Sequence, residues 1–217
     1  NLGQALAVAE AGHVNTHGRC RRDHRLGCQR RQNLFLNHDV YICKEPAFMK
    51  KYVYKPYDPD FIELFQNEKE RILSHVRNIA AIEHIGSTAV PGLGGKGIID
   101  LAIGVDKSSI EAVSKELIGV GYEFRANGST EERLFFRIDL PDPKEGVRRY
   151  HAHLLVHQGP VWKELVGFRD YLIAQPSVLQ QYVEMKKLAA SSADGDGEAY
   201  RKLKDPFIQQ ALKSLKI

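Results

Sequence analysis

The chain has 217 residues, of which 43% are apolar and 27% charged, and its formal net charge is +4. These values fit one domain with a sizeable core. No run approaches the roughly 18 apolar residues of a membrane-spanning helix, and no secretory signal pattern is present, so we expect a cytoplasmic protein. The three cysteines all lie in the first fifth of the chain, which argues against a disulfide framework.

The chain divides near Met49, its first methionine. Residues 1–48 hold seven Lys and Arg against four Asp and Glu, and they lack sustained apolar periodicity. The body, residues 49–217, is therefore nearly neutral, and we expect it not to bind nucleic acid. One interpretation of residues 1–48 is a basic arm or a zinc-binding knot. The interpretation that we favour is a disordered or non-native leader ahead of a natural start at Met49.

Periodic patterns predict the first elements of the body. A helix begins after Asp58-Pro59 and continues to about His75, because its apolar residues recur at helical spacing. Two apolar runs, 81–85 and 97–105, then predict two strands joined across a glycine-rich loop. The first helix is expected to pack on the sheet that these strands form.

The next elements are a helix and two further strands. Ser108 and Glu111 have the spacing of a capping box for a second helix, which Gly121 ends. A strand begins near Tyr122, and strict alternation of apolar and polar residues predicts another over 134–140. The sequence therefore switches from helical to strand periodicity at this glycine.

The last part of the chain predicts a hairpin and then helices. The strand after the turn at 141–146 continues to about His157, and two or three helices follow, broken at 175–176 and at 191–197. The predicted class is α+β, or α/β-like, with a mixed β-sheet flanked by helices and a C-terminal helical segment.

Two features of the first predicted strand pair indicate a binding site. Gly86 and Ser87 end the first run, and a glycine followed by a serine lets backbone N–H groups and a hydroxyl face an anion. Asp100 lies inside the second run, where an ionised carboxylate is costly to bury unless it is paired or holds a metal. Together they predict a site for a metal ion and a phosphate.

The strand after the hairpin turn supplies candidate partners for that carboxylate. Period-two alternation puts His151, His153 and His157 on one face of this strand. If the strand neighbours the one that carries Asp100, the imidazoles of His151 and His153 could meet the carboxylate, and neutral imidazole is a common ligand of transition metals. The alternative for all three is a solvated strand face, and for His157 we keep that alternative.

Several cations are further candidates. Lys96 lies in a glycine-rich loop, where an ammonium could approach a triphosphate, although the loop lacks the P-loop pattern. Lys186 and Lys204 each follow a tyrosine by four residues, a spacing that suits both a nucleotide contact and an ordinary surface pair. Arg169 and its neighbour Asp170 are interpreted first as a capping or helix-to-sheet salt bridge.

The body resembles the GrpB family. The likeness rests on a long signature, Glu83-His84-Ile85-Gly86-Ser87-Thr88-Ala89-Val90-Pro91-Gly92-Leu93 with Lys96 and Ile98-Ile99-Asp100. It continues through His151-Ala152-His153-Leu154, Phe168-Arg169-Asp170-Tyr171-Leu172, Tyr182 with Lys186, and Tyr200 with Lys204, Pro206 and Phe207-Ile208. It covers about residues 50–217. Members of that family look like nucleotidyltransferase-fold proteins, and the resemblance implies that fold here.

The resemblance also implies a chemistry. In the nucleotidyltransferase pattern a serine and nearby amides hold phosphates, while two strand carboxylates bind Mg²⁺. Gly86, Ser87 and Asp100 match that pattern, but Ala102 stands where the second acid would be. A carboxylate from Asp139 could replace it, or the two strand histidines could complete a site for Mn²⁺ or Zn²⁺.

The resulting prediction is a metal-dependent nucleotidyltransferase that moves a nucleoside monophosphate from an NTP to an unknown small-molecule or protein acceptor. The catalytic residues are Asp100 and Lys96, and the expected ion is Mg²⁺ or Mn²⁺, with Zn²⁺ as second choice. The residues that bind nucleotide or phosphate are Gly86, Ser87, Thr88, Lys186 and Lys204, and the metal ligands are Asp100, His151 and His153. The alternatives are a catalytically silent nucleotide- or metabolite-binding protein, and a metal-dependent phosphoesterase that uses Asp100 with His151 and His153.

Overall fold

The computed structural model describes residues 54–215 in full and, before them, two strands by their backbone. The chain separates into two compact units, residues 1–50 and residues 51–217. In the first unit β1 (Cys28–Asn33) pairs antiparallel with β2 (His38–Cys43). The predicted boundary at Met49, and most of the predicted leader, lie outside the described residues.

The second unit alternates helices and strands and ends in three consecutive helices. In chain order its elements are α1 (Phe61–His75), β3 (Ile79–Ile85), β4 (Ile99–Val105), α2 (Ile110–Gly119), β5 (Glu123–Phe124), β6 (Arg133–Asp142), β7 (Gly146–Val156), α3 (Pro160–Ala174), α4 (Pro176–Ser192) and α5 (Gly197–Ser214). This order confirms the predicted α+β class, with a C-terminal helical segment.

The five strands of this unit form one mixed sheet in the order β3-β4-β7-β6-β5. β4 and β7 run parallel, and the other neighbouring pairs are antiparallel. The predicted hairpin is β6 and β7, joined at a turn where Gly146 has φ +73°. The parallel pair is the one that positions the candidate site, because it sets Asp100 opposite His151.

One face of the sheet is covered by α1 and α2. From β4, the residues Ile99, Leu101 and Ile103 lie on this face, and each is fully buried. Phe65 of α1 and Leu117 of α2 pack in the same cluster. Burying aliphatic side chains of this size stabilises the fold by roughly 1.5–3 kcal/mol each, so this face is the main hydrophobic core.

The opposite face is covered by α3. A Cβ on Gly104 of β4 would lie 2.6 Å from the Trp162 ring, so only a glycine lets this helix approach the strand. Further along, α4 and α5 pack on α3 through a second apolar cluster that includes Leu172, Tyr182 and Phe207. Side chains from the C-terminal helices therefore reach the edge of the sheet near Asp100.

The predicted helix boundaries agree with the structure except at the second helix. α1 begins at Phe61, just after the predicted Asp58-Pro59 start, and the carboxylate of Asp58 accepts from the Asp60 N–H at 3.1 Å in the turn before the helix. The predicted capping box of Ser108 and Glu111 is wrong: residues 107–109 form a 3₁₀ turn, and α2 begins without a side-chain capping bond. Glu111 pairs instead with the exposed Lys115, at 2.7 Å.

Within the part of the chain that the structure describes, no helix is both long enough and apolar enough to cross a bilayer.

Candidate functional site

The site begins at the turn that follows β3. Gly86 has φ +73°, which glycine adopts at no steric cost, and a Cβ there would overlap the Asp100 carboxylate. The chain can therefore bring this turn against Asp100 only with glycine at this position. Ser87 starts a 3₁₀ turn, and no residue of the described chain hydrogen-bonds to its hydroxyl. Its oxygen is therefore available to a ligand.

His84 and Thr88 hold this turn from the core side. The Thr88 hydroxyl donates to the Ile98 carbonyl at 2.9 Å, so it must accept from His84 Nε2, 3.0 Å away. The His84 ring stacks on Phe65, and burial, the largest cause, lowers its pKa to about 4. Thr88 was predicted to bind phosphate. The structure instead buries it and occupies its hydroxyl in fixing the turn.

Asp100 and the two strand histidines come together, because β4 pairs with β7 in the predicted manner. His151 Nδ1 lies 3.1 Å from Asp100 Oδ1, and His153 Nε2 lies 3.8 Å from the same oxygen. Burial raises the pKa of Asp100, but the hydrogen bond from His151 and the nearby His153 outweigh it and lower that pKa. The carboxylate is therefore ionised and retains some access to the cleft.

The second histidine is the more enclosed of the two. Burial lowers the pKa of His153 against the opposing effect of Asp100, so the ring is held neutral. It stacks on Phe135 with a centroid separation of 5.2 Å. Its buried Nδ1 has no hydrogen-bond partner among the described residues. The environment therefore favours a neutral imidazole with one nitrogen directed at the carboxylate.

Neither the second-acid position of the pattern, residue 102, nor the suggested replacement, Asp139, offers a free carboxylate to a metal ion. Ala102 is fully buried and packs with Ile85, Leu155 and Trp162, so the position of the second acid is apolar and filled. Asp139 is held by Arg149 through hydrogen bonds of 2.8 and 2.9 Å. These residues do not fit a cluster of two Mg²⁺ ions.

His157, the third histidine of the pattern, lies beyond the end of β7 and packs edge-on against Trp162. Between residues 54 and 215, no group of three or more His, Cys, Asp and Glu side chains has an arrangement that could hold a metal ion. The Asp100–His151–His153 metal site therefore stays a prediction.

Beside the Gly86–Ser87 turn lies a partly open cleft with a volume of about 230 Å³. Its lining includes the turn and Asp100, together with apolar residues of the loop after the turn and of the C-terminal helices. The lining also includes three cations, one each from α3, α4 and α5, and their residues are Arg169, Lys186 and Lys204. A cleft with three cations and one acid in its lining is suited to an anionic ligand.

Lys186 is the most buried of these cations, with 3% of its surface exposed. Its ammonium donates to the Gly94 carbonyl at 2.6 Å. A Cβ on Gly95 would lie 3.2 Å from Lys186 Nζ and 2.6 Å from Ser87 Oγ, so the glycine loop passes close to both polar atoms. Burial, followed by the charge of Lys204, lowers the pKa of Lys186 to about 7, against the opposing effect of Asp100.

Lys204 and Lys96 both lie against the ring of Tyr200. Their Nζ atoms are 4.5 and 5.8 Å from the ring centroid. Burial lowers the pKa of each ammonium, and Lys96 also feels the repulsion of Arg201. Lys204 lines the cleft, whereas Lys96, predicted as catalytic, is not part of its lining.

Arg169 lines the cleft, although the sequence favoured a structural salt bridge over a functional role for this residue. Its Nη1 donates to Glu83 at 2.6 Å and to the His84 carbonyl at 2.8 Å, which is the helix-to-sheet salt bridge expected from the sequence. The same guanidinium also lines the cleft. The family resemblance, which includes Phe168-Arg169-Asp170, is the sequence feature that could have identified Arg169 as a cleft residue. The adjacent Asp170 instead favoured the interpretation of Arg169 as part of a salt bridge.

Comparisons with known proteins show the family of this chain. The family described as GrpB protein matches residues 52–214. The UPF0157 protein YqkA of Bacillus subtilis is 34% identical over 74% of this chain and 46% of its own length. The glutamate-rich protein GrpB of Alkalihalophilus pseudofirmus is 29% identical over 70% of this chain and 88% of its own. The chain thus spans about half the length of the Bacillus relative.

A more distant match is a dephospho-CoA kinase of Mycolicibacterium paratuberculosis, 25% identical over 73% of this chain and 44% of that protein. Among solved structures, the conserved protein GrpB from Enterococcus faecalis superimposes with a TM-score of 0.64 at 26% identity. That match covers 75% of this chain and 96% of the other, and it is consistent with the predicted nucleotidyltransferase-like fold. On the family match and the shared fold, the chain belongs to the GrpB family.

Proposed function

We propose that the cleft binds the phosphate chain of a nucleoside triphosphate and that the protein transfers the nucleoside monophosphate to an acceptor. The observation that carries this proposal is the set of three cations that line a cleft together with the Gly86–Ser87 turn and Asp100. Phosphate groups are bound by such combinations of backbone N–H groups, hydroxyls and cations.

The electrostatics of the cleft support an anionic ligand. Burial lowers the pKa of both Lys186 and Lys204, and a neighbouring cation lowers each further, Lys204 in the case of Lys186 and Lys96 in the case of Lys204. A bound phosphate would reverse this, because an opposite charge within a few ångströms favours an ammonium. The charge pattern is thus complementary to a ligand with several negative charges.

The residues have distinct roles in the proposed transfer. Ser87 and the turn hold phosphate oxygens, while Lys186 and Lys204 stabilise the charge that develops on the departing pyrophosphate. Lys96, next to the shared tyrosine ring, adds positive charge from outside the lining. Asp100 orients His151 through the 3.1 Å hydrogen bond.

A single Mg²⁺ or Mn²⁺ fits Asp100 better than two ions do. The carboxylate is ionised, and Mg²⁺ is commonly held by one or two carboxylates together with substrate phosphates. When bound at Asp100 with phosphate oxygens and water, such an ion would neutralise phosphate charge.

A second candidate is a protein that binds nucleotide without transferring it. The observation that favours it is Ala102, buried beneath Trp162 where the conventional second carboxylate would lie. In this case the fold and the phosphate-binding turn serve recognition alone.

Calorimetric titration of the full chain with ATP, GTP, CTP and UTP, with and without Mg²⁺ or Mn²⁺, tests the binding. Asp100→Asn should weaken metal-dependent binding by at least about tenfold. Asp139→Asn, which alters an acid that is paired to Arg149, is the matched control and should bind as the wild type does. Absence of binding in the wild type under every condition would overturn the proposal.

Pyrophosphate release separates the two candidates. Labelled nucleoside triphosphate is incubated with the protein and a fractionated small-molecule and protein extract as the source of acceptors. Release that is lost in Asp100→Asn but kept in Asp139→Asn supports transfer. Binding without release by any fraction supports the binding protein.

A further inference from the structure

The cleft is small and partly open. Its volume of about 230 Å³ lies below the roughly 300–1,000 Å³ of pockets that enclose a drug-sized ligand. A complete nucleotide therefore cannot be enclosed, and only one end of it can lie between the turn and the cations.

The polar groups of the lining are suited to phosphate. The polar side-chain groups are the hydroxyls of Ser87 and Tyr182, three cations, and the Asp100 carboxylate, which the histidines already engage. Reading the edge of a base requires donors and acceptors in a matched pattern, most often from amide side chains or backbone. Among the described residues that line the cleft there is no Asn or Gln, and the nearby Gly94 carbonyl is occupied by Lys186.

The aromatic rings of the lining are also engaged by protein. Tyr182 stacks on Phe207 at a centroid separation of 4.8 Å and meets the edge of Phe168 at 5.5 Å. Proteins that bind unpaired bases usually offer an exposed aromatic face for stacking. Tyr182 is 5% exposed, so its ring serves the packing of α3, α4 and α5.

From these three observations we infer that the cleft recognises a linear polyphosphate chain and does not discriminate between bases. Its ligand class is the triphosphate of any nucleotide, and inorganic tripolyphosphate carries the same recognised chemistry. This inference rests on the proposed function and specifies that the cleft recognises the triphosphate group of the nucleotide. The nucleoside then projects from the cleft without specific contacts.

The test is a set of calorimetric titrations of the full chain with sodium tripolyphosphate, the four nucleoside triphosphates and adenosine, in one buffer with one concentration of Mg²⁺. The dissociation constants of the five phosphates should agree within about threefold, and adenosine should not bind. Tripolyphosphate should displace each nucleotide competitively.

Two lysines of α5 provide matched variants. Lys204→Gln should weaken all five phosphates by a similar factor, because it removes a charge from the lining. Lys202→Gln removes a charge that pairs with Glu198 on the exposed side of the same helix, and it should leave binding unchanged.

The outcomes separate this inference from the function on which it rests. Binding of ATP without tripolyphosphate, or a preference for one base above about tenfold, would overturn the inference and leave nucleotide binding intact. Failure of every phosphate to bind would overturn both. A loss in Lys204→Gln that is confined to one nucleotide would also contradict recognition through the phosphate chain.

Discussion

The two faces of strand β4 differ in chemistry although they share one backbone. Toward α1 and α2 the strand presents Ile99, Leu101 and Ile103, all fully buried. Toward α3 it presents Asp100 and then Ala102 and Gly104, which become smaller along the strand. The first face needs large apolar side chains to fill the hydrophobic core. The second face carries a charged residue at the start of the strand and small residues where α3 packs closely.

This difference shows how one strand can serve both stability and chemistry. Gly104 lets Trp162 approach the strand, and that approach buries Ala102. Asp100 escapes burial by α3 because it lies at the start of the strand, beside the glycine turn and the cleft. The site is therefore placed where the covering helix ends its contact with the sheet.

The largest expected effect comes from placing an acid on the packed part of this face. Ala102→Asp should destabilise the protein by about 3–5 kcal/mol, because the new carboxylate would be buried in the apolar cluster of Ile85, Leu155 and Trp162 and would lose its hydration. Urea unfolding measures the change. Val147→Asp, at a residue of β7 that is 60% exposed, is the control and should shift stability by no more than about 0.5 kcal/mol. An Ala102→Asp protein as stable as the wild type would show that this face admits a second acid.

A pH effect should come from the core side of the turn. Burial lowers the pKa of His84 to about 4, so the unfolded chain binds more protons than the folded one between pH 6.5 and 4. Stability should therefore fall by roughly 3 kcal/mol as the pH drops through this window. Unfolding of the wild type and of His84→Gln, compared from pH 7.5 to 4, checks this.

The glutamine variant can still donate to Thr88, so it isolates the titration of the ring. Its stability should fall less steeply with acid, and the residual slope reports other groups such as His153, whose pKa burial also lowers. Identical slopes in both proteins would mean that His84 does not remain neutral in the fold.

A smaller effect is expected on ligand affinity in the cleft. In the free protein the pKa of Lys186 is lowered to about 7, and a bound phosphate favours the charged amine. Phosphate affinity should thus fall above pH 7, by up to about tenfold per pH unit. Lys186→Arg keeps its charge throughout and should bind with little pH dependence. Equal pH profiles, in two proteins of equal melting temperature, would contradict a phosphate contact by Lys186.

The smallest effect concerns the starts of helices α2 and α5. Ser108→Ala should change stability by less than about 0.5 kcal/mol, since α2 begins without a side-chain cap. Asp196 does cap α5, accepting from Glu198 N at 2.8 Å and Ala199 N at 3.3 Å. Asp196→Ala should therefore cost about 1 kcal/mol in thermal or urea unfolding. A loss of that size in Ser108→Ala would restore the capping box.

The sequence by itself determined the elements with strong local patterns. The apolar stripe of α1, the alternation of β6, and the turn between β6 and β7 are short-range features, because helical and strand periods repeat within a few residues. The Gly86–Ser87 turn and Asp100 were equally visible, since a glycine at a strand end and an acid in an apolar run are local departures from a pattern.

Only the tertiary structure decided what surrounds Asp100. The parallel pairing of β4 with β7 brings His151 beside Asp100, which lies 51 residues earlier in the chain. Lys186 donates to the carbonyl of Gly94, which lies 92 residues earlier. No local period encodes such contacts, because they depend on the pairing of distant strands and on how the C-terminal helices pack on the sheet. The packing of α3 also buries Ala102, and the Thr88 hydroxyl is occupied by His84 and the Ile98 carbonyl, which a linear motif could not show. The sequence was enough to predict which residue types form the site. Which of these side chains are accessible to a ligand depends on the tertiary structure.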